Sequence, residues 1–224
     1  MKESTVLVTG GAGFIGSHVV DKLVGLGHEV VVLDNLSTGL LENLRRHVDD
    51  GNVGFVEGDI REVRLVDRLF KRVDAVVHLA AVTSVPFSMS HPVLTNRVNL
   101  DGTLNLLRAS LENNVERFVL VSSCAIYGEP CYSPVDEEHP MHPLSPYAAS
   151  KLAAEHYCRV FKSAYGLDAV VLRPFNVYGD RQRREDMYSG VITRFAESML
   201  TGKPLVVYGD GSQTRDFVHV YDVA

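Results

Sequence analysis

Thr5-Val6-Leu7-Val8-Thr9-Gly10-Gly11-Ala12-Gly13-Phe14-Ile15-Gly16, read together with Asp34, decides the fold. The apolar run Val6 to Val8 leads into a glycine turn, after which Ile15, Val19 and Leu23 recur at the spacing of one helix face. Strand, glycine turn and helix form the context that a dinucleotide-binding fingerprint requires. Gly10 permits the tight turn, Gly13 admits backbone N–H groups close to a pyrophosphate, and Gly16 lets the helix lie close on the sheet. The first-turn amides and the positive end of the helix dipole then favour phosphate charge. A second strand, Glu29 to Leu33, ends at Asp34, whose carboxylate can accept from both ribose hydroxyls. The same carboxylate repels a 2′-phosphate, so NAD is expected in preference to NADP.

Strands and helices alternate outward from that stretch. Val53 to Glu57 reads as a third strand, Ala75 to Leu79 as a fourth, Phe118 to Val121 as a fifth and Ala169 to Leu172 as a sixth. Between them, Leu40 to Val48 reads as a short helix and Arg61 to Phe70 as a helix with Val63, Val66 and Phe70 on one face. Pro92 to Asn113 reads as one long helix carrying Val98, Leu104, Leu107 and Leu111 inward. The strands are near-continuous apolar runs, as expected when helices cover both faces of a parallel sheet. The fold class is therefore α/β, a doubly wound parallel sheet with its ligand crevice at the carboxyl ends of the strands. Residues 1–175 are expected to form a Rossmann-like NAD-binding domain. From about Asn176 the character changes, and residues 176–224 are expected to be part of a smaller substrate lobe. There a charged loop at 180–186 precedes a helix from Val191 to Leu200 and a short strand at Leu205 to Val207.

Hydrophobic residues make up 46% of the 224 and charged residues 22%, ordinary values for a globular protein. A net charge of −6, without any Lys/Arg cluster, argues against a nucleic-acid surface. No apolar run approaches the ~20 residues needed to span a bilayer, and the sequence enters a core strand directly, so no signal peptide is expected. Cys124, Cys131 and Cys158 form no CxxC pair, which fits a reduced, cytoplasmic protein.

The fifth strand delivers Ser122 and Ser123 to the crevice. Ser145-Pro146 reads as N-cap and first residue of a helix that carries Tyr147 and Lys151 at i and i+4, one turn apart on one face. A free phenol, with a pKa of about 10, is a poor base at neutral pH. A nearby ammonium, with the positive charge of an oxidised nicotinamide, favours the phenolate. Tyr147 can then take a proton from a carbinol as hydride leaves the same carbon, with Ser123 holding the oxygen. Elsewhere, His139 and His142 flank Pro140-Met141 without the carboxylate or cysteine spacing of a metal site, and no metal is expected. Asp136-Glu137-Glu138 reads as a solvated loop, and His78 as a hydrogen-bonded core histidine.

These motifs together resemble the extended short-chain dehydrogenase/reductases, and within them the nucleotide-sugar 4-epimerases of the UDP-glucose 4-epimerase type. The resemblance rests on Thr9 to Gly16, Asp34-Asn35-Leu36-Ser37-Thr38-Gly39, Gly58-Asp59-Ile60 and His78-Leu79-Ala80-Ala81. It continues through Ser122-Ser123 with Tyr127-Gly128, Ser145 to Lys151, Arg173-Pro174-Phe175-Asn176-Val177-Tyr178-Gly179 and Gly209 to Phe217, thus along the whole chain. It implies that Asp59 and Ile60 contact adenine and that Leu79, Ala80, Ala81 and Asn99 line the cofactor. Phe14, Ile15, Asn35, Ser37, Thr38, Gly39 and Ser122 join those contacts, with Tyr147 and Lys151. Asn176 and Arg215 would hold the diphosphate of a UDP-sugar, Val191 and Tyr208 would sit against its base, and Ser123 and Tyr147 would meet the sugar. Thr83, near which the bacterial epimerase has a lysine, is counted with the substrate contacts.

The family's dehydratases carry Thr-Asp-Glu where this chain has Ser123-Cys124-Ala125, and its decarboxylases carry Glu at the position of Ala125. Without those local carboxylates elimination is disfavoured, and redox epimerisation at C4 with NAD regenerated in each cycle remains. UDP-glucose and UDP-galactose are the expected pair. UDP-glucuronic acid or N-acetylated sugars, or a non-catalytic NAD-binding regulator, are the rival readings. The resemblance also implies a homodimer built from the helices at 92–113 and 146–165. Finally, His219 to Ala224 reads as a strand followed by Asp222 as an N-cap. Because family members continue further, the chain is expected to be a truncation that binds NAD but takes UDP-sugars weakly.

Overall fold

The structure is a computed structural model that describes residues 4–182 and 190–224. In chain order the elements are β1 (Thr5–Thr9), α1 (Phe14–Gly25), β2 (Glu29–Asp34), α2 (Arg45–Asp49), β3 (Val53–Glu57), α3 (Val63–Leu69) and β4 (Ala75–His78). They continue with α4 (Val85–Ser90), α5 (Pro92–Asn96), α6 (Gly102–Glu112), β5 (Arg117–Val121), α7 (Pro146–Tyr165) and β6 (Ala169–Leu172). Last come β7 (Asn176–Tyr178), α8 (Val191–Thr201), β8 (Phe217–His219) and α9 (Val220–Val223).

Six parallel strands make one sheet in the order β3-β2-β1-β4-β5-β6. The order reverses at β1, so a crevice opens between the carboxyl ends of β1 and β4, where Thr9 is in register with Leu33 on one side and His78 on the other. Alternate residues of each strand feed opposite layers. Leu7, Leu33, Val76, Phe118 and Leu120 join the core under α3, α6 and α7, while Val6, Val8, Val30, Val32 and Val53 join the core with Val19 and Val20 of α1. That is the doubly wound α/β sheet expected. Burying both faces of every central strand is what made the runs continuously apolar.

Several local expectations are corrected. The 92–113 segment is not one helix: a wide π turn at Arg97–Asp101 separates α5 from α6. The extra residue rotates the face that follows, so Leu106 and Leu107 are fully buried while Leu104 and Leu111 sit at the margin. Val63 is exposed because α3 starts there, two residues later than expected, and Val66 with Phe70 carries the burial. The 40–48 segment splits into a 3₁₀ turn, Leu41–Leu44, and α2. Leu205 to Val207 is not a strand. Among the described residues the second sheet pairs β7 with β8 in parallel, leaving the 205–207 run without a ladder partner. His219, not Asp222, caps α9, its ring accepting from the Tyr221 N–H at 3.3 Å, and Asp222 lies inside the first turn.

Of the charged stretch at 180–186, positions 183–186 lie outside the described residues. Its first two residues tie the second sheet to α1. Tyr221 donates to Asp180 at 3.1 Å, the Asp180 carbonyl meets the His18 ring at 2.9 Å, and Arg181 pairs with Asp21 at 2.8 Å. Among the described residues no helix is long and apolar enough to cross a membrane, and no three His, Cys, Asp or Glu side chains gather as a metal site would require.

Candidate active site

The glycine turn leaves β1 at Gly10, which takes a φ of +72°. A Cβ there would lie 2.7 Å from the Ala80 nitrogen, so the turn and the exit of β4 approach as only glycine allows. Gly16 serves a purpose different from the one expected. A Cβ on it would meet the Gly10 carbonyl oxygen at 2.2 Å, so it lets the helix sit against its own turn and not against the sheet. The N-cap of α1 is Gly13, with no capping side chain and no acid in the first turn, which leaves the first-turn amides for an anion.

Asp34, at the end of β2, is 7% exposed. Its oxygens accept one backbone N–H each, from Ala12 at 3.0 Å and Leu36 at 2.8 Å, which aims the carboxylate and leaves lone pairs over. Burial pushes its pKa above the usual carboxylate range, against the pull of those two N–H groups. A Cβ at Gly39 would stand 3.0 Å from both Asp34 oxygens, so glycine there keeps the carboxylate approachable. Asn35 and Asp59 are brought together, Asn35 donating at 3.3 Å, and hydrogen bonds from Arg61 hold the Asp59 carboxyl below its ordinary value. The Ile60 side chain turns into the core against Gly102, and its carbonyl accepts from Asn105 at 3.2 Å. Ser37 and Thr38 are exposed on the same loop, and Ser37 N–H donates to Asn35 at 3.1 Å.

Behind the crevice a chain of hydrogen bonds has a fixed direction. The Ala80 amide donates to Thr9 Oγ1 at 3.3 Å, and Thr9 Oγ1 lies 2.7 Å from His78 Nδ1. On the far side His78 Nε2 lies 2.8 Å from Thr103 Oγ1, which donates to the Asn99 carbonyl at 2.6 Å. Since the Thr103 hydroxyl proton is used on Asn99, His78 must donate from Nε2 and accept at Nδ1. Burial, then the charge of Lys151, depresses the His78 pKa to about 3, so the ring stays neutral. Asn99, 2% exposed, accepts from the Val82 N–H at 2.7 Å and donates to the Val82 carbonyl and to Ser150, each at 3.0 Å. Ser150 in turn donates to the Tyr147 carbonyl at 2.7 Å. Asn99 therefore shapes the β4 exit loop (Leu79, Ala80, Ala81) from behind, while Thr83 is exposed beyond it.

Ser123 ends the strand side of the site, and its hydroxyl accepts from the Ala125 N–H at 3.1 Å. Tyr147 and Lys151 project from the first turns of α7, whose N-cap Ser145 accepts from the Ala148 N–H at 3.1 Å. Lys151 is 4% exposed and donates to the Val121 carbonyl at 2.8 Å. Burial lowers its pKa to about 8, against the charge of Glu155. Burial also pushes the Tyr147 phenol up, against a hydrogen bond with Ser123. In the chain alone Lys151 does not offset that burial, and the expectation joined its charge to that of an oxidised nicotinamide. The ammonium is turned onto a backbone carbonyl and desolvation wins, so a further positive charge in the crevice is needed. Ser122 Oγ is buried with no hydrogen-bond partner among the described residues, a polar atom that suits a bound polar group. The cradle at Gly10, the bare helix end, the carboxylate at Asp34 and this orphaned hydroxyl fit a pyridine dinucleotide.

The second sheet completes one wall. Asn176 donates twice to the Asp216 carbonyl, at 3.2 Å from the backbone and 2.8 Å from the side chain, which places Arg215 and Asp216 beside Cys124. A carboxylate therefore does come near position 124, from a strand pairing that local spacing could not reveal. Burial raises the Cys124 pKa, so it stands as a thiol. Val191 and Tyr208 meet across a cavity of about 400 Å³, with Phe195, Val206, Arg194 and Lys203 also lining it. Two residues given no role from the sequence prove central. Glu155, 4% exposed, is gripped by Arg173 at 2.7 Å, and Arg173 also reaches the Tyr127 hydroxyl at 2.9 Å and lies over its ring. The signal was present in the spacing, since Tyr147, Lys151 and Glu155 recur at i, i+4 and i+8. His139 is a packed residue, accepting from the Cys131 N–H and facing the Pro140 carbonyl, both at 2.9 Å.

Comparison with known proteins shows the family. Residues 6–224 match the model of the NAD dependent epimerase/dehydratase family. The UDP-N-acetylglucosamine 4-epimerase of Methanobrevibacter ruminantium, solved with UDP-N-acetylmuramic acid, superposes with a TM-score of 0.95 at 42% identity over 100% of this chain and 71% of that one. The UDP-glucose 4-epimerase of Thermotoga maritima with UDP-glucose gives 0.92 at 44% identity over 98% and 70%. That of Thermus thermophilus with NAD gives 0.88 at 47% over 98% and 71%. The chain belongs to the NAD dependent epimerase/dehydratase family.

Proposed function

We propose that this protein is an NAD-dependent nucleotide-sugar 4-epimerase that interconverts UDP-glucose and UDP-galactose through a transient 4-keto sugar. The observation that carries the reading is Ser123 beside Tyr147, with Lys151 one turn behind, at the switch point of a sheet whose glycine turn and Asp34 fit NAD. Bound NAD supplies the acceptor, and later the donor, of the hydride at C4. Tyr147 Oη takes the proton of the C4 hydroxyl and returns it once the keto sugar has presented its other face, and Ser123 orients that oxygen. Lys151, fixed on the Val121 carbonyl, holds positive charge beneath the phenol. Asn176 and Arg215 hold the diphosphate, a task suited to a guanidinium fork, and the cavity between Val191 and Tyr208 takes the base. Positions 124 and 125 offer a thiol and a methyl group in place of the acid and base of elimination, which supports epimerisation.

Incubating the protein with UDP-glucose and following C4 stereochemistry by NMR tests the reading. Appearance of the galacto isomer is expected, and recovery of unchanged sugar beside a turning-over N-acetylated analogue would replace it. The M. ruminantium enzyme's name favours UDP-N-acetylhexosamines as the second reading.

The assembly is a homodimer in this reading. Helices α4, α5 and α7, in mutual contact, leave Phe87, Met89, Val93, Leu94, Tyr157 and Val160 exposed, an apolar surface suited to a second copy. Light scattering should give a dimer mass for the wild type and a monomer mass for a Val93→Glu, Val160→Glu variant.

A further inference from the structure

The buried charges behind Tyr147 form a row. Lys151 and Glu155 are one turn apart on α7, and each is 4% exposed. Arg173, which follows β6, donates from Nε to both Glu155 oxygens at 3.2 and 3.1 Å and from Nη2 to Oε2 at 2.7 Å. Its Nη1 is spent on the Tyr127 hydroxyl and the Glu137 carbonyl. Glu155 is thereby fixed in place at a distance where its charge acts on Lys151.

We propose that Glu155 is a positioning residue that keeps Lys151 an ammonium ion through the working pH range, with Arg173 holding the carboxylate in place. The physical need is plain. An ammonium removed from water sheds its proton unless an anion compensates for the lost solvation. The groups around Lys151 are His78 from β4 and Tyr147, Glu155 and Cys158 from α7. Arg173, Arg159 and Lys162 lie beside Glu155 and Cys158. His78 is neutral at pH 7, and burial pushes the Cys158 thiol up to about 12. The Tyr147 phenol, raised by burial, keeps its proton in the chain alone. Of this set Glu155 supplies the negative charge. A salt bridge that merely clamped α7 to the strand end would need no such placement four residues after the lysine.

The consequence for turnover rests on the function proposed above, but the charge state of Lys151 can be read without substrate. The full chain is labelled with lysine ¹⁵Nζ, and Lys151 is assigned by the signal lost in Lys151→Met and titrated by NMR. Glu155→Gln should move the Lys151 midpoint down by roughly one pH unit. Arg173→Met, which frees the Glu155 charge, should move it up, and it decides the matter if the first variant does not fold. A shift of less than about 0.2 unit in Glu155→Gln, or a fall in Arg173→Met, overturns the proposal. With UDP-glucose as substrate, both limbs of the kcat profile of Glu155→Gln should move toward lower pH. A uniform loss of kcat with unmoved limbs would reduce the pair to a structural clamp. If the NMR shifts occur and no UDP-sugar is epimerised, the proposed function fails and the role of Glu155 stands.

Discussion

At Tyr147 a single oxygen separates the side chain from phenylalanine, so Tyr147→Phe removes the base and keeps the packing of a residue that is 8% exposed. NAD affinity should hardly change while turnover falls by about 10²–10⁴-fold. Steady-state rates within a few-fold of wild type would take Tyr147 out of the mechanism. His78 makes a different kind of claim. Its folded pKa of about 3 lies below the ordinary 6.5, so between those values the unfolded chain binds a proton that the native chain refuses. Its contribution to stability is therefore full above pH 6.5, falls as pH drops toward 3, and is lost below that. Urea unfolding between pH 6 and 4 should show a steeper fall in the wild type than in His78→Gln, by about 1.4 kcal/mol per pH unit at most. Equal slopes would show that the buried ring is not held neutral.

Among the elements, α7 bears most of the proposed chemistry and depends on its cap. Ser145→Ala removes the acceptor of the Ala148 N–H and should cost about 1 kcal/mol in chemical denaturation. An unchanged midpoint would mean that water replaces the cap. The cap and the Tyr147–Lys151 spacing were readable in the sequence because both are local: one turn of helix fixes them. The doubly wound parallel sheet was readable for a related reason, since strand, glycine turn, helix, strand and acid arrive in a fixed succession. What escaped was non-local. The π turn at Arg97–Asp101 exists because Asn99 reaches Val82 and Ser150, 17 residues back and 51 onward, and no window of helical periodicity contains those partners. Likewise Leu205 to Val207 reads as a strand from composition, but a strand needs a neighbour, and β8 found it in β7. Glu155 and Arg173 form a pair only after β6 has docked beside α7.

On the scale of the whole molecule, NAD should stabilise the chain through linkage. A ligand at 100 times its Kd raises stability by about 2.7 kcal/mol. NADP at equal concentration should raise Tm less if, as proposed, the buried Asp34 carboxylate receives the ribose hydroxyls and repels a 2′-phosphate. Asp34→Ser should narrow the gap, and equal shifts from both nucleotides in the wild type would show that Asp34 does not discriminate. The position of β1 also has a consequence for synthesis. It precedes the other five strands of its sheet in the chain and lies at the middle of that sheet, yet its second neighbour, β4, follows about 69 residues later, the separation of Thr9 from His78. A nascent chain can pair β1 with β2 and β2 with β3 early, but the other edge of β1 stays open until β4 leaves the ribosome. That interval, set by translation speed, is when unpaired Val6 to Val8 is exposed to other chains. The crevice at Ala80 and the lysine on α7 arrive later still, so the cofactor can meet only a chain whose central sheet is already built.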